Sequence, residues 1–339
     1  MPLVAQASAG GNAYVNQWPG VYFEASFTGK TVWLKFIDAA NIFRLYIDNL
    51  KPITLSEPGK SEVKISGLGQ KSHKLRLEKI TESIDGYGEF DGFYTQNSTA
   101  AAAPNIRKKS IEFIGDSGMT GYGIHSSTRV CTKDEIRLRT DTQAAYPALI
   151  AKHYNADYQI NAISGRGMVR NYDGFSPGEE MKGIYPFTFF NQSSPYNNTN
   201  WKPQIIIINL GANDFSTPVK PTEKWKDTEA LAADYLAQYS AFLSDIFARN
   251  PDANLIIAFQ DYKNSSDPVI NSLPDAAEKL LVVSTRNAGF RSVKFIRVHD
   301  LGEDDAACDY HNSISDHKKI AAWWITYLDT HPELWVAPL

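Results

Sequence analysis

Four isoleucines in a row, Ile205–Ile208, sit inside QIIIINL at residues 204–210. A β-branched run with no polar alternation fits a strand buried on both faces, the kind found in parallel sheets covered by helices on each side. The neighbouring segments supply the rest of such a sheet. Ile111–Ile114 and Tyr158–Ile163 read as further apolar strands, and NLIIAF and VKFIRV as two more. Between them, AAYPALIAKHY has helical spacing. The segment beginning at Asp227 carries Leu231, Tyr235, Tyr239, Phe242 and Ile246 at helical spacing and stops at Asn250-Pro251. A helix from about Asp275 to Asn287 and a last one through HKKIAAWWITYL complete the alternation of strand and helix. That order predicts an α/β domain with a mostly parallel sheet.

The first hundred residues follow another rule. TVWLKFID alternates Val32, Leu34 and Phe36 against Trp33 and Lys35; IFRLYIDN puts Phe43, Leu45 and Ile47 opposite Arg44; HKLRLEKI puts Leu75 and Leu77 opposite Lys74 and Arg76. Short period-2 runs separated by Gly, Pro, Asn and Asp predict an antiparallel β-sandwich with one wet face. NSTAAAAPN, residues 97–105, reads as a connector. A chain of 339 residues suits two domains, here a β-sandwich over 1–104 and an α/β domain over 105–339. The irregular stretch from Tyr172 to Lys202 reads as an active-site loop or a surface insertion.

Composition narrows the function. The chain is 43% hydrophobic and 21% charged with a net charge of −4, and no Lys/Arg cluster is dense enough to neutralise a row of phosphates, which argues against a nucleic-acid partner. No apolar run approaches the ~18 residues of a membrane span. MPLVAQASAGG shows neither the charged nor the apolar region of a signal peptide. Two cysteines, Cys131 and Cys308, are too few for a disulfide scaffold or a structural zinc site; they read as two buried thiols or as one bridge in an exported protein.

Polar signals fall just past strand ends, where open α/β sheets place their sites. Ser117 lies in GDSGMTGYG, Gly165 in INAISGRG, Asn213 in NLGAND, and His311 in CDYHNS before the last helix. Alone, each has a plain reading: a turn serine, a glycine needing positive φ, an Asx-turn asparagine, one histidine competing with His299 and His317. As a set they supply what acyl transfer needs. Ser117 offers a hydroxyl, His311 a base, and the Ser117 N–H, the Gly165 N–H and the Asn213 amide offer donors for an oxyanion.

In that order, GDSGMTGYG, INAISGRG, NLGAND and DYH resemble the Ser, Gly, Asn and His blocks of the SGNH hydrolase superfamily. The preceding WPGVYFEASFTGKTVWLKFID, LYIDN and KLRLEKITES resemble the N-terminal jelly-roll of carbohydrate esterase family 2. The resemblance spans nearly the whole chain. It implies a jelly-roll joined to a flavodoxin-like parallel sheet. The implied enzyme is a serine esterase that removes O-acetyl groups from acetylated oligosaccharides or polysaccharides of xylan or mannan type. It would need no metal or cofactor and would work as a secreted or periplasmic protein. Carried over, Ser117 is the nucleophile, His311 the acid/base, and Ser117, Gly165 and Asn213 form the oxyanion hole. Asp116 and Asp214 read as acceptors that organise loops.

The superfamily usually places an aspartate three residues before the histidine, whereas Asp309 is two before. Either a tight turn brings Asp309 to the imidazole, or a backbone carbonyl holds the ring and leaves a Ser-His dyad; Asp304 and Asp305 are remoter substitutes. Tyr310 beside the base reads as a platform for a sugar ring or as a rim tyrosine, with Tyr172 and Trp225 weaker candidates. Trp323 and Trp324 read as core. Cys131 follows the serine block and Cys308 precedes His311, so a bridge between them would tie the two loops. Two rival functions stand beside the deacetylase: an acyl hydrolase acting on lipids or thioesters, which a long apolar channel would favour, and a non-catalytic carbohydrate-binding protein on this scaffold.

Overall fold

The structure is a computed structural model that describes residues 7–10, 13–82, 84, 86–96, 101–104, 106–260, 265–290 and 292–336. Nine strands come first: β1 (Ala7–Gly10), β2 (Ala13–Asn16), β3 (Tyr22–Thr28), β4 (Val32–Asp38), β5 (Ile42–Ile47), β6 (Ile53–Ser56), β7 (Gly59–Ile65), β8 (Ser72–Lys79) and β9 (Gly88–Tyr94). They form two antiparallel sheets, ordered β1-β2-β9-β4-β7 and β3-β8-β5-β6. The period-2 runs explain the pairing of faces. Val32, Leu34 and Phe36 of β4 and Phe43 and Leu45 of β5 turn inward, joining Phe23, Leu75, Leu77 and Phe90 in one core between the sheets. The connector expected at 97–105 lies partly outside the described residues, but Ala102 is still bound to the sandwich, exchanging two 2.8 Å backbone hydrogen bonds with Ser26.

The second part carries β10 (Lys109–Gly115), β11 (Ala156–Ala162), β12 (Ile205–Ile208), β13 (Asn254–Gln260) and β14 (Val293–Val298), all parallel, in the order β11-β10-β12-β13-β14. Helices α1 (Ser117–Thr120), α2 (Lys133–Arg139), α3 (Tyr146–His153), α4 (Met181–Ile184), α5 (Ala212–Phe215), α6 (Thr228–Arg249), α7 (Pro268–Ala288) and α8 (Ile314–Asp329) alternate with them. The isoleucine run is β12, at the centre. Ile206 and Ile208 enter one hydrophobic cluster, and Ile205 and Ile207 enter the cluster on the other face. Each side chain so buried contributes about 1.5–3 kcal/mol. No helix among the described residues is long and apolar enough to cross a membrane.

Two expectations change. Helix α7 begins at Pro268, not near Asp275. Asp267 caps it by accepting from Val269 N–H at 2.8 Å, Pro268 occupies the tolerant first turn, and the helix runs on through Pro274. The stretch 172–202, expected as an active-site loop or a surface insertion, touches Gly165 through Tyr172 and Phe175 and is otherwise bound into the core. Met181, Ile184, Tyr185 and Phe190 are buried in the core, the Phe187 carbonyl accepts from Trp18 Nε1 at 3.0 Å, and Trp201 Nε1 donates to Glu112 at 2.9 Å.

The sandwich and the α/β part meet through a seam of rings and ion pairs. Tyr22 donates to Asp157 at 2.8 Å, Arg107 joins Glu24 to Asp157, Arg76 joins Glu24 to the Tyr158 hydroxyl, and Gln143 Nε2 donates to the Gly20 carbonyl at 2.9 Å. Gly20 itself has φ +72°, and a Cβ there would lie 2.8 Å from Ile160 Cδ1. Gly20→Ala should therefore lower stability by about 1–3 kcal/mol through strain and overpacking at the seam, read by denaturant unfolding.

Candidate active site

Strand β10 ends on Gly115, and the chain turns at once into α1. A Cβ on Gly115 would lie 3.1 Å from the Asn209 carbonyl oxygen and closer still to the Met119 side chain, so the turn closes only around glycine. Asp116 is the N-cap, its carboxylate accepting from Gly118 N–H at 3.0 Å. Ser117 opens the helix, where N–H groups have no intrahelical acceptor. Two glycines then aim Tyr122. Gly121 (φ +70°) and Gly123 (φ +57°) each sit where a Cβ would come within 2.6 Å of a neighbour, the Asp141 carbonyl and Cys308 Cβ. The Tyr122 ring lies on His311 with centroids 4.3 Å apart, and its hydroxyl donates to Asp309 Oδ2 at 2.9 Å.

The loop that carries His311 is bound on several sides. Cys308 is bonded to Cys131 (S–S 2.05 Å). Asp309 N–H donates to the Arg129 carbonyl at 2.7 Å, while the Arg129 guanidinium donates to the carbonyls of Asp304 and Asp305 at 2.7 and 2.8 Å. Asp309 and Tyr310 both take left-handed backbone (φ +52° and +61°), a conformation that costs about 1–3 kcal/mol per non-glycine residue and persists only where neighbours impose it.

That conformation decides what faces the imidazole. His311 Nδ1 lies 3.0 Å from the Cys308 carbonyl oxygen, which can only accept. In the neutral ring Nδ1 therefore carries the proton, and Nε2 is the nitrogen left to accept one. Burial lowers the His311 pKa from its ordinary 6.5, against the carbonyls of Cys308 and Asp309 and the charges of Asp309 and Asp305, which raise it. The Asp309 carboxylate is turned to Tyr122 rather than to the ring. Asp305 Oδ1 accepts from Asn312 at 3.0 Å and Asp304 Oδ1 from Ala306 N–H at 2.9 Å, so both are occupied elsewhere. His317 is neither a surface nor a capping residue: it is buried, its Nδ1 accepts from Tyr146 N–H at 3.2 Å, and burial pushes its pKa down to about 4.

The donors expected for an oxyanion come from the next two strand ends. Gly165, past β11, has φ +78°, and a Cβ there would meet the Phe175 ring at 2.9 Å. Its carbonyl accepts from Tyr172 N–H at 2.9 Å. Asn213, in α5 past β12, spends both amide hydrogens within the protein, on Asp116 Oδ2 at 3.1 Å and on the Arg166 carbonyl at 2.9 Å. Asp214 beside it accepts from the N–H groups of Met168, Val169 and Arg170 at 2.8–2.9 Å, which fixes the loop after Gly165. Burial pushes Asp116 up to about 6, and pushes Asp214 up to about 7 against the pull of those three donors.

Ser117, His311, Tyr310 and Asp305 line one cavity of about 620 Å³. Met119, Tyr146, Ile320, Trp323 and Trp324 form an apolar wall, and Asp300 and Glu303 lie on its rim. Trp323 and Trp324 thus serve both the core and the cavity. Tyr310 is 71% exposed, with the Arg129 guanidinium 5.0 Å over its ring. Trp225 is half-buried and donates to Asp234 at 2.9 Å. Among the described residues no cluster of three His, Cys, Asp or Glu side chains could hold a metal ion.

Comparison with known proteins matches these parts in the same order. Residues 8–104 match the carbohydrate esterase 2 N-terminal family and residues 113–333 the GDSL-like lipase/acylhydrolase family. An acetylxylan esterase / glucomannan deacetylase of Cellvibrio japonicus is 41% identical over 325 residues, 95% of this chain and 87% of that protein. The chain belongs to carbohydrate esterase family 2. A solved carbohydrate esterase whose active site has divergent catalytic and non-catalytic binding functions superposes with a TM-score of 0.87 at 39% identity, over 97% of this chain and 96% of that one. A family two carbohydrate esterase from Clostridium thermocellum, solved with cellohexaose, superposes with a TM-score of 0.80 at 26% identity, over 98% and 99%. The protein is accordingly a carboxylic ester hydrolase of the carbohydrate esterase type.

Tyr122 and Arg129 of this family 2 esterase are not among the site residues expected from the sequence, although Tyr122 stands inside the serine block. The glycine on each side of it was the available signal, since Gly-Tyr-Gly marks a backbone too tight for side chains and an aromatic held out from it. Arg129 had no such mark. Because the Cys131–Cys308 link spans a separation of 177 residues, Cys131→Ser should lower stability by about 2–4 kcal/mol, measured by denaturant unfolding under non-reducing conditions.

Proposed function

We propose that this esterase removes O-acetyl groups from sugar hydroxyls of xylan- or mannan-type polysaccharides through an acetyl-Ser117 intermediate. The reading is carried by Ser117 and His311 lining one cavity, with His311 Nδ1 tied to a carbonyl and Nε2 left to act. The polymer class rests on the activity named for the 41% identical relative.

In this mechanism Ser117 Oγ attacks the acetyl carbonyl as His311 Nε2 takes its proton. Charge developing on the carbonyl oxygen is met by the N–H groups of Ser117 and Gly165. Asn213 joins them by sharing the hydrogen it gives to Asp116, the longer of its two bonds at 3.1 Å. His311 returns the proton to the sugar oxygen as the C–O bond breaks, leaving acetyl-Ser117. A water deprotonated by His311 then attacks, acetate departs, and the proton returns to Ser117 Oγ. The Cys308 carbonyl takes the place of a third triad member, and Asp309 acts at one remove by holding Tyr122 against the ring. Tyr310, open to solvent at the mouth, is suited to stack on a pyranose. We divide the chain at 104/105 and place the enzyme outside the cytoplasm, which the disulfide supports. The apolar wall beneath Ser117 favours a second reading, tolerance of acyl groups longer than acetyl.

Acetate release from acetylated xylan and glucomannan is the direct test, with aryl acetate and aryl butyrate beside them. Ser117→Ala should reduce turnover to background. Asp309→Ala should stay within about tenfold of the parent, far from the ~10⁴-fold loss that follows when an aspartate holds the tautomer. A loss of that size would restore Asp309 to the triad. No acetate from any substrate would end the deacetylase reading, and butyrate outpacing acetate would favour the second.

Because His311 must be neutral to accept the serine proton, a lowered pKa keeps it competent in more acid solution. The acid limb of kcat/KM should fall at a pH below 6.5. A midpoint above 6.5 would show that the neighbouring carboxylates outweigh burial.

A further inference from the structure

Glu82 stands just past β8, on the sandwich side, yet its carboxylate is bound to the α/β domain. Oε1 accepts from Ser164 N–H at 2.8 Å and Oε2 from the Ser164 hydroxyl at 2.5 Å. Thr120 Oγ1, in the first turn after Ser117, lies 3.0 Å from Ser164 Oγ and 3.3 Å from the Ser117 carbonyl oxygen. One carboxylate therefore joins the residue before Gly165 to the helix that begins with Ser117.

The support behind Glu82 is equally fixed. The Ile80 carbonyl accepts from Thr142 N–H at 2.9 Å, and Thr81 Oγ1 accepts from Ile42 N–H at 3.2 Å while donating to Asn41 at 3.0 Å. Lys79, wholly buried, donates to Asn16 Oδ1 and to the carbonyls of Gln17 and Trp18 at 2.9–3.2 Å, and burial raises the Glu82 pKa against its bonds to Ser164 and Thr120 and the charge of Lys79.

The Gly165 N–H belongs to the peptide unit that links Ser164 to Gly165. Ser164 is held through both its N–H and its hydroxyl, and on the far side the Gly165 carbonyl is held by Tyr172. Between these anchors the peptide unit turns only about the bonds on either side of it, the ψ of Ser164 and the torsions of Gly165. We propose that Glu82 is a positioning residue for acyl transfer: by clamping Ser164, the jelly-roll sets the direction of the Gly165 N–H and is a working part of the oxyanion hole. This rests on the deacetylase reading above, in which Gly165 is a donor to the oxyanion.

The test compares Glu82→Ala, Glu82→Gln and Ser164→Ala in the full chain on aryl acetate and acetylated xylan. A donor aimed at the transition state matters to kcat rather than to KM. Glu82→Ala should lose about ten- to a hundredfold in kcat with KM within about twofold, the scale of a misplaced catalytic group. Glu82→Gln, which keeps an acceptor oxygen, should recover part of that loss. The rate at which an aryl phosphonate inactivates Ser117 should fall alongside kcat, since its adduct places an oxygen in the same hole. If Glu82→Ala does not fold, Glu82→Gln and Ser164→Ala carry the comparison. Parental kcat in the folded variants overturns the proposal, and so does a change confined to KM. Turnover lost in Ser117→Ala is the control. A parent without turnover brings down the deacetylase reading and this proposal with it, whereas parental kcat in the variants beside an active parent strikes Glu82 alone.

Discussion

In the proposed mechanism His311 takes a proton from Ser117 through Nε2, and the hydrogen bond from Nδ1 to the Cys308 carbonyl is what leaves that nitrogen free. A carbonyl on the same loop can do this only if the loop itself cannot relax. Two adjacent left-handed residues make relaxation favourable, so the restraint must come from elsewhere. It comes from the segment that follows the nucleophile. Tyr122 lies on the ring and binds Asp309, Arg129 takes three backbone partners in the His loop, and Cys131 closes the link covalently. One stretch of about ten residues thus carries the strain of the other. The same residues that follow Ser117 in sequence hold the loop that carries His311, so the two side chains share one frame.

The architecture was legible because burial writes itself into periodicity. Alternation in β4, β5 and β8 matched the inward faces, and the isoleucine run matched the central strand. The polar residues at strand ends were legible for the same reason: a parallel sheet collects whatever follows its strands. What stayed hidden depended on backbone conformation or distant packing. The spacing of Asp309 and His311 left a triad and a dyad both open, since only the φ of Asp309 turns its carboxylate toward Tyr122. The helix start expected near Asp275 lies well inside α7, because the cap at Asp267 had already committed the chain. The stretch 172–202 read as loop for lack of any period, yet single apolar residues such as Met181 and Tyr185 bind it into the core. Glu82 carried no signal at all, being one acid in a polar turn whose partner lies 82 residues away.

The charge around the site follows from the same reliance on backbone donors. In the proposed mechanism the oxyanion is met by loops that also bind Asp116, Asp214 and Glu82, three carboxylates whose pKa values burial raises. As bare anions they would oppose the reaction. Each is instead met by hydrogen-bond donors from the loops: Gly118 and Asn213 for Asp116; Met168, Val169 and Arg170 for Asp214; Ser164 for Glu82. The backbone bonds among them fix the direction of peptide units in the loops that bear Ser117 and Gly165, and the side-chain bond of Asn213 fixes its amide. Neutral donors held rigid are what a developing negative charge requires, because they need no reorganisation when it appears. In that mechanism the carboxylates serve through geometry while their charge works against the reaction. Burial moderates that opposition by pushing the Asp116 pKa up to about 6.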